Sequence, residues 1–209
     1  MDTVSLMKTD HPIQHPDTPL LRQHLRTEVR HRRRALTPSQ QQQAAVQAAQ
    51  RIADHPRIQA AQSVAMFLSF DGELPTRPAI ERLWALGKRV VLPVLHPFSP
   101  GHLLFLDYQP GTELIPNRLR IPEPPLDVRH ILPLHQLDVI LTPLVAFDDR
   151  GQRLGMGGGF YDRTLAQWRT RGPYPIGLAH DCQQVEGIPA EPWDVPLPEI
   201  ITPGKVWRW

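Results

Sequence analysis

Apolar positions along the chain alternate between a helical and an extended period, and each change of period marks an element. Leu21, Leu25 and Val29 recur every four residues, which predicts a helix with one buried stripe beginning near Thr18-Pro19. Thr37-Pro38-Ser39-Gln40 predicts a second helix start, with capping-box spacing between Thr37 and Gln40; a Gln/Ala-rich stretch extends it to about Ala53. Ser63 to Phe70 is nearly all apolar, as a buried strand requires, and Asp71-Gly72 ends it. Thr76 then caps a helix expected from about Pro78 to Gly87, and Arg89 to Pro93 is the next strand. Leu103 to Leu106 is an isolated strand within the irregular, proline-rich stretch 94–135. Asp138 to Val145 is again a buried strand, followed by a helix from Tyr161 to about Trp168. Tyr174 to Ala179 and Glu199 to Thr202 are two short strands, and Trp207-Arg208-Trp209 reads as an aromatic tail.

This strand–helix–strand rhythm belongs to βαβ units around a mainly parallel sheet, hence an α/β fold. The 209 residues suit one domain, and neither an internal repeat nor a second apolar core is visible. Residues 1–17 lack periodicity and contain Pro12 and Pro16, so they are expected to form a mobile tail ahead of a domain over 18–209. The 24 prolines, about twice the usual share, predict short elements joined by stiff connections. No apolar run is long enough to span a membrane, and no signal peptide is expected. A lone Cys182 favours a reducing compartment, so the expected setting is the cytoplasm.

Chemistry concentrates in Asp148 to Arg163, between a predicted strand and a predicted helix. Gly155, Gly157, Gly158 and Gly159 cost backbone entropy on folding. Bare N–H groups beside a helix N-terminus suit a phosphate. Arg153 and Arg163 add positive charge, and Asp162 is a candidate ligand for a divalent cation. The set suggests a nucleoside triphosphate with magnesium; a tight strand-to-helix turn is the simpler alternative. Phe160 occupies the third glycine position of a dinucleotide loop, and no G-K-[ST] follows, so this is neither a dinucleotide fingerprint nor a P-loop.

Net charge is only +2, but arginine is crowded at 22, 26, 30, 32, 33 and 34. Arg22, Arg26 and Arg30 share one side of the first helix. A solvated face, a nucleic-acid contact and recognition of nucleotide phosphates all remain open for that stripe; the absence of interleaved aromatics weakens the second. In open parallel sheets ligands sit beyond the strand carboxyl ends, where Glu73 follows one strand and the glycine stretch follows another. Glu73 is either a substrate contact or an exposed loop carboxylate, and Asp194 is a candidate second metal ligand. His96, His102, His130, His135 and His180 show no ligand spacing, and Cys182 has no nucleophile setting.

Arg22-Gln23-His24-Leu25-Arg26, Phe67 to Thr76 and Phe147 to Asp162 together resemble the 5-formyltetrahydrofolate cyclo-ligase family. The most specific stretch is Gln152-Arg153-Leu154-Gly155-Met156-Gly157-Gly158-Gly159-Phe160-Tyr161-Asp162, and the likeness covers about residues 20–205. The resemblance implies a three-layer α/β/α fold and an ATP- and magnesium-dependent cyclisation. The formyl oxygen of 5-formyltetrahydrofolate attacks the γ-phosphate, N10 then attacks the activated carbon, and 5,10-methenyltetrahydrofolate, ADP and phosphate result. It further implies Arg153, Tyr161 and Asp162 as catalytic residues. ATP would contact Arg22, Arg26, Arg153, Gly155, Gly157, Gly158, Gly159, Phe160 and Tyr161. The folate would meet Arg26, Leu68, Glu73, Met156, Gly157, Gly158, Gly159 and Phe160, and magnesium Asp162 and Asp194. Arg22 stands where lysine is common in relatives, and Met156 and Gly158 stand where some carry basic residues.

The rival expectations are a nucleic-acid-binding protein using the basic helix 22–34, and an inactive relative that still binds folate. Neither nucleic acid nor a membrane is an expected partner. Asp162→Ala is expected to abolish turnover with little loss of fold, as suits an exposed carboxylate at a helix start.

Overall fold

The computed structural model describes residues 18–209, so the expected tail over 1–17 lies outside the described residues. Five helices and eleven strands follow in the order α1 Thr18–Arg34, α2 Pro38–Asp54, α3 Pro56–Ala60, β1 Ser63–Ala65, α4 Arg77–Ala85, β2 Arg89–Leu95, β3 Leu103–Asp107, β4 Ile115–Pro116, β5 Pro122–Glu123, β6 Val139–Pro143, β7 Ala146–Phe147, β8 Arg153–Leu154, α5 Phe160–Leu165, β9 Tyr174–Leu178, β10 Glu199–Ile201 and β11 Val206–Arg208.

Seven strands form one sheet in the order β11-β10-β9-β6-β1-β2-β3. The inner pairs β10·β9, β9·β6, β6·β1 and β1·β2 are parallel, whereas β3 and β11 run antiparallel at the two edges. Val64, Val90, Leu92, Val139, Leu141 and Ile176 face α2, α3 and α4 on one side. Ala65, Val91, Ile140, Ile200 and Phe147 face α5 through Leu165 and the loops on the other, completing a three-layer α/β/α domain. Opposite faces are buried because successive strand side chains alternate.

The strand order reverses between β1 and β6, which places an opening beyond their carboxyl ends. The predicted strand Ser63 to Phe70 therefore keeps ladder pairing only to Ala65; Met66 N still reaches Val91 O at 2.9 Å. Phe67, Leu68 and Phe70 leave the sheet and line that opening. The strand expected to run to Val145 stops at Pro143, and a hairpin of β7 and β8 intervenes before the glycines. The helix expected to reach Trp168 ends at Leu165. The expected aromatic tail is instead the edge strand β11, paired with β10 around a Pro203-Gly204 turn. Thr37 accepts a bond from Gln40 N at the start of α2, as its spacing requires. Thr76, by contrast, donates to Phe67 O at 2.7 Å and makes no cap.

Helix α1 corrects the predicted stripe most. Leu21 is 51% exposed, while Arg22 and Arg33 are buried along with Val29. Arginines occupy the inward face because each finds a carboxylate or carbonyl there, as a buried guanidinium requires.

Candidate active site

A cavity of about 750 Å³ opens at the reversal of strand order. Arg22, Arg26, Leu68, Glu73, Arg153, Gly155, Met156, Gly157, Gly158, Gly159, Phe160, Tyr161, Asp162 and Asp194 all line it. Residues from α1, from the loop after β1, from β8 and α5, and from the segment before β10 thus meet in one place. The sequence reading did not include Asn117, Leu119 and Ile121 from the β4–β5 turn, or Trp193, which is 62% exposed at the rim.

One end of the cavity is cationic. Arg22 forks onto Asp194, with Nη1 to Oδ2 at 2.5 Å and Nη2 to Oδ1 at 3.0 Å, and its Nη1 also donates to Pro189 O at 2.7 Å. Arg26 Nε donates to Gly155 O at 2.9 Å. Arg153 Nη2 donates to Asp162 Oδ1 at 2.6 Å, and Val195 N reaches the same oxygen at 3.3 Å. Burial, then the neighbouring Arg22 charge, lowers the Arg26 pKa; burial lowers that of Arg153 despite Asp162 and Asp194 nearby. Three guanidiniums, Arg22, Arg26 and Arg153, meet the carboxylates of Asp162 and Asp194 here, with Glu191 also in the lining, so the charged groups of this part of the cavity are closely interleaved. Arg153 Nε is buried with no hydrogen-bond partner among the described residues.

The glycine stretch shapes this end. Gly157 and Gly159 have φ of +100° and +65°, a region costly for side-chain-bearing residues, and Gly159 is the residue before α5. A Cβ on Gly158 would sit 2.8 Å from the Phe160 ring. Arg163 braces the turn by donating to Gly158 O and, at 2.8 Å from Nε, to Gly101 O. It is therefore a structural strut between two loops.

The other end is apolar, with Phe67, Leu68, Leu92, Leu103, Leu119 and Ile121, and carries one buried acid. Glu73 Oε2 accepts from Phe70 N at 3.2 Å, and Oε1 lies 3.9 Å from Arg33 Nη1. Burial pushes the Glu73 carboxyl up to about 7, against the opposing Arg33 charge. Glu73 is thus buried in the cavity wall, and the alternative of an exposed loop carboxylate does not hold. Burial, then the charge of Glu73, raises the Tyr161 hydroxyl well above its ordinary range, so Tyr161 remains a hydrogen-bond donor at neutral pH.

Asp162 keeps one oxygen, Oδ2, without a hydrogen bond among the described residues, whereas Arg22 engages both oxygens of Asp194. Among the described residues no three His, Cys, Asp or Glu side chains group into a ready metal site. Magnesium commonly takes one or two carboxylates, several waters and the substrate's own phosphates. Asp162 fits that pattern as it stands; Asp194 fits once Arg22 turns away.

The rest of the basic run is also committed internally. Arg30, Arg33 and Arg34 all bond Asp71, and Arg32 bonds Glu28.

The chain is similar to known proteins over most of its length. Residues 20–203 match the model of the 5-formyltetrahydrofolate cyclo-ligase family. The chain is 64% identical over 181 residues to 5-formyltetrahydrofolate cyclo-ligase of Escherichia coli, covering 87% of this chain and 100% of that one. It is 51% identical over 180 residues to the Haemophilus influenzae protein of the same name, covering 86% and 96%. The solved 5,10-methenyltetrahydrofolate synthetase of Aquifex aeolicus superposes with a TM-score of 0.77 at 26% identity, covering 90% and 92%. The cavity at the strand reversal, with its glycine turn between Arg153 and Asp162, therefore lies in a chain that belongs to the 5-formyltetrahydrofolate cyclo-ligase family.

Proposed function

We propose that the chain binds ATP and 5-formyltetrahydrofolate together in this cavity and closes the folate to 5,10-methenyltetrahydrofolate, releasing ADP and phosphate. The observation that carries the reading is the division of one cavity into a cationic, glycine-lined end and an apolar end with a single buried acid. Triphosphate fits the first and the flat folate ring system the second, and the volume of about 750 Å³ falls within the usual range for ligand sites.

Phosphoryl transfer depends mainly on positioning and on stabilising charge spread over the transferred oxygens. Arg26 and Arg153 are placed to hold those oxygens, and the N–H groups of Gly157 to Phe160 cradle them. Glu73 accepts from the folate's N–H groups and sets the formyl oxygen toward the γ-phosphate. That oxygen displaces ADP, N10 attacks the activated carbon, and phosphate leaves; no protein nucleophile is required. Bound magnesium would neutralise phosphate charge, with Asp162 as its first protein ligand. Arg22 has two roles in this reading: it forks onto Asp194, and it exchanges that partner for phosphate, freeing Asp194 for the cation. A cytoplasmic setting suits a lone half-buried Cys182.

Against the nucleic-acid reading stands the pairing of Arg30, Arg33 and Arg34 with Asp71 and of Arg32 with Glu28. The test is absorbance in the methenyl-folate band after mixing protein, 5-formyltetrahydrofolate, ATP and magnesium. A rise needing both ATP and magnesium supports the reading; no rise from folded protein sinks it, and a folate-binding titration then tests the inactive-relative alternative.

A further inference from the structure

Beneath the acid at the apolar end lies a group the reaction scheme does not use. Arg33 is 0% exposed, near the end of α1. Its Nε donates to Asp71 O at 2.9 Å, Nη2 to Asp71 Oδ2 at 2.9 Å and Nη1 to Leu144 O at 3.4 Å. Nη1 also faces Glu73 Oε1 at 3.9 Å. Arg33 therefore ties α1 to the turn after β1 and to the end of β6, the two walls between which the cavity opens. An arginine buried at this depth is costly unless its fork is used. Asp71 and Leu144 O use part of it; Glu73 Oε1 is reached by Coulomb attraction without a hydrogen bond, while Oε2 accepts from Phe70 N.

We propose that Arg33 is a positioning residue for the reaction: it fixes the Asp71–Glu73 turn and supplies the buried counter-charge that favours the acceptor form of Glu73 facing the folate. This rests on the reading of Glu73 as the substrate's contact. Among the described residues Arg33 is the positive charge that acts on Glu73 in this way. From the turn itself Asp71 adds a negative charge, which opposes ionisation of Glu73. From the segment after β9, His180 is buried and held down at about 4, chiefly by burial and then by Arg33, so it is neutral at physiological pH. From α5, Tyr161 is likewise neutral there. Between about pH 5 and 9 Glu73 is thus the member of this group that changes charge.

The experiment is the pH profile of kcat/KM for 5-formyltetrahydrofolate at saturating MgATP, in the full chain, for wild type, R33Q, R33K and E73Q, with a thermal melt of each. R33Q removes the charge and is expected to move the acid limb up by about one to three pH units, the effect of an opposite charge at this range. R33K keeps the charge without the fork, so its limb is expected to stay in place although both variants melt earlier. An unmoved limb in R33Q, or the same movement in R33K, overturns the proposal and leaves Arg33 a structural clamp. If R33Q does not fold, D71N replaces it: removing the acid that opposes ionisation is expected to move the limb down, and an upward move overturns the proposal. E73Q is expected to abolish the limb. A limb that persists in E73Q sinks the reading of Glu73 itself, whereas one that vanishes there but ignores Arg33 sinks only the role of Arg33.

Discussion

Replacing Glu73 by glutamine has a signature in stability that separates it from ordinary damage to a core. The carboxyl is 7% exposed and is pushed by burial from 4.5 to about 7. For an acid whose folded pKa is raised, the native protein retains a proton that the unfolded chain has already lost. The contribution of this one group to stability is therefore greatest below pH about 4.5 and falls as pH rises through about 7, above which the buried charge is a standing cost. The interval from 4.5 to about 7 corresponds to about 3 kcal/mol, at about 1.4 kcal/mol for each tenfold step. Glutamine has nearly the same shape, can accept from Phe70 N, and carries no charge to bury. E73Q is predicted to exceed wild type by about 3 kcal/mol at about pH 8 and to match it near pH 5. In a chain of this length that is a gain of about 6–12 °C in Tm, at about 2–4 °C per kcal/mol. The assay is urea or thermal unfolding of both proteins across that pH range, with folate KM measured alongside and expected to rise. A stability difference that does not change with pH would refute the reasoning, because the buried charge would then carry no penalty.

Other perturbations probe the cationic end. D162A leaves the buried Arg153 without its carboxylate, and removing one partner of a buried pair costs about 3–5 kcal/mol; a melt lowered by several degrees together with lost turnover is expected, and an unchanged melt would contradict the pairing. G159A forces a side chain into a left-handed φ of +65° and sets its Cβ 2.8 Å from Arg163 Nη1, costing about 1–2 kcal/mol; unfolding measures this, and a rise in ATP KM should accompany it. R26A removes the bond to Gly155 O and is expected to raise ATP KM by about tenfold or more, the worth of one charge-assisted hydrogen bond; an unchanged KM would remove Arg26 from the phosphate site.

The D162A expectation reverses what the sequence suggested, and the reason is instructive. An aspartate at the start of a helix looks exposed in one dimension, since nothing local says that Arg153, nine positions earlier on another element, reaches it. The same limit explains α1. Spacing puts Leu21, Leu25 and Val29 inward and leaves the arginine stripe open; the tertiary acceptors Asp194, Gly155 O and Asp71 draw Arg22, Arg26 and Arg33 inward, and Leu21 is left exposed. Local chemistry, by contrast, was legible. The Thr37–Gln40 capping box, the βαβ rhythm and the glycine stretch each carry their cause within a few residues. The Pro203-Gly204 turn was a hairpin signal of the same kind, passed over in favour of an aromatic tail. Trp193 and the β4–β5 turn could not be read in advance, because their place at the cavity is set by long connections without periodicity.

Helix α1 carries Arg22 and Arg26 at the cationic end and Arg33 under the folate end, eleven residues and about 16 Å from Arg22 along one rod. In the proposed reaction the same rod therefore meets both substrates, ATP phosphate through Arg22 and Arg26 and the turn bearing Glu73 through Arg33. Any coupling carried by that shared rod is reciprocal: whatever factor bound ATP contributes to folate affinity, bound folate returns to ATP. Measured with one substrate absent, each dissociation constant would differ from its value in the ternary complex by that common factor.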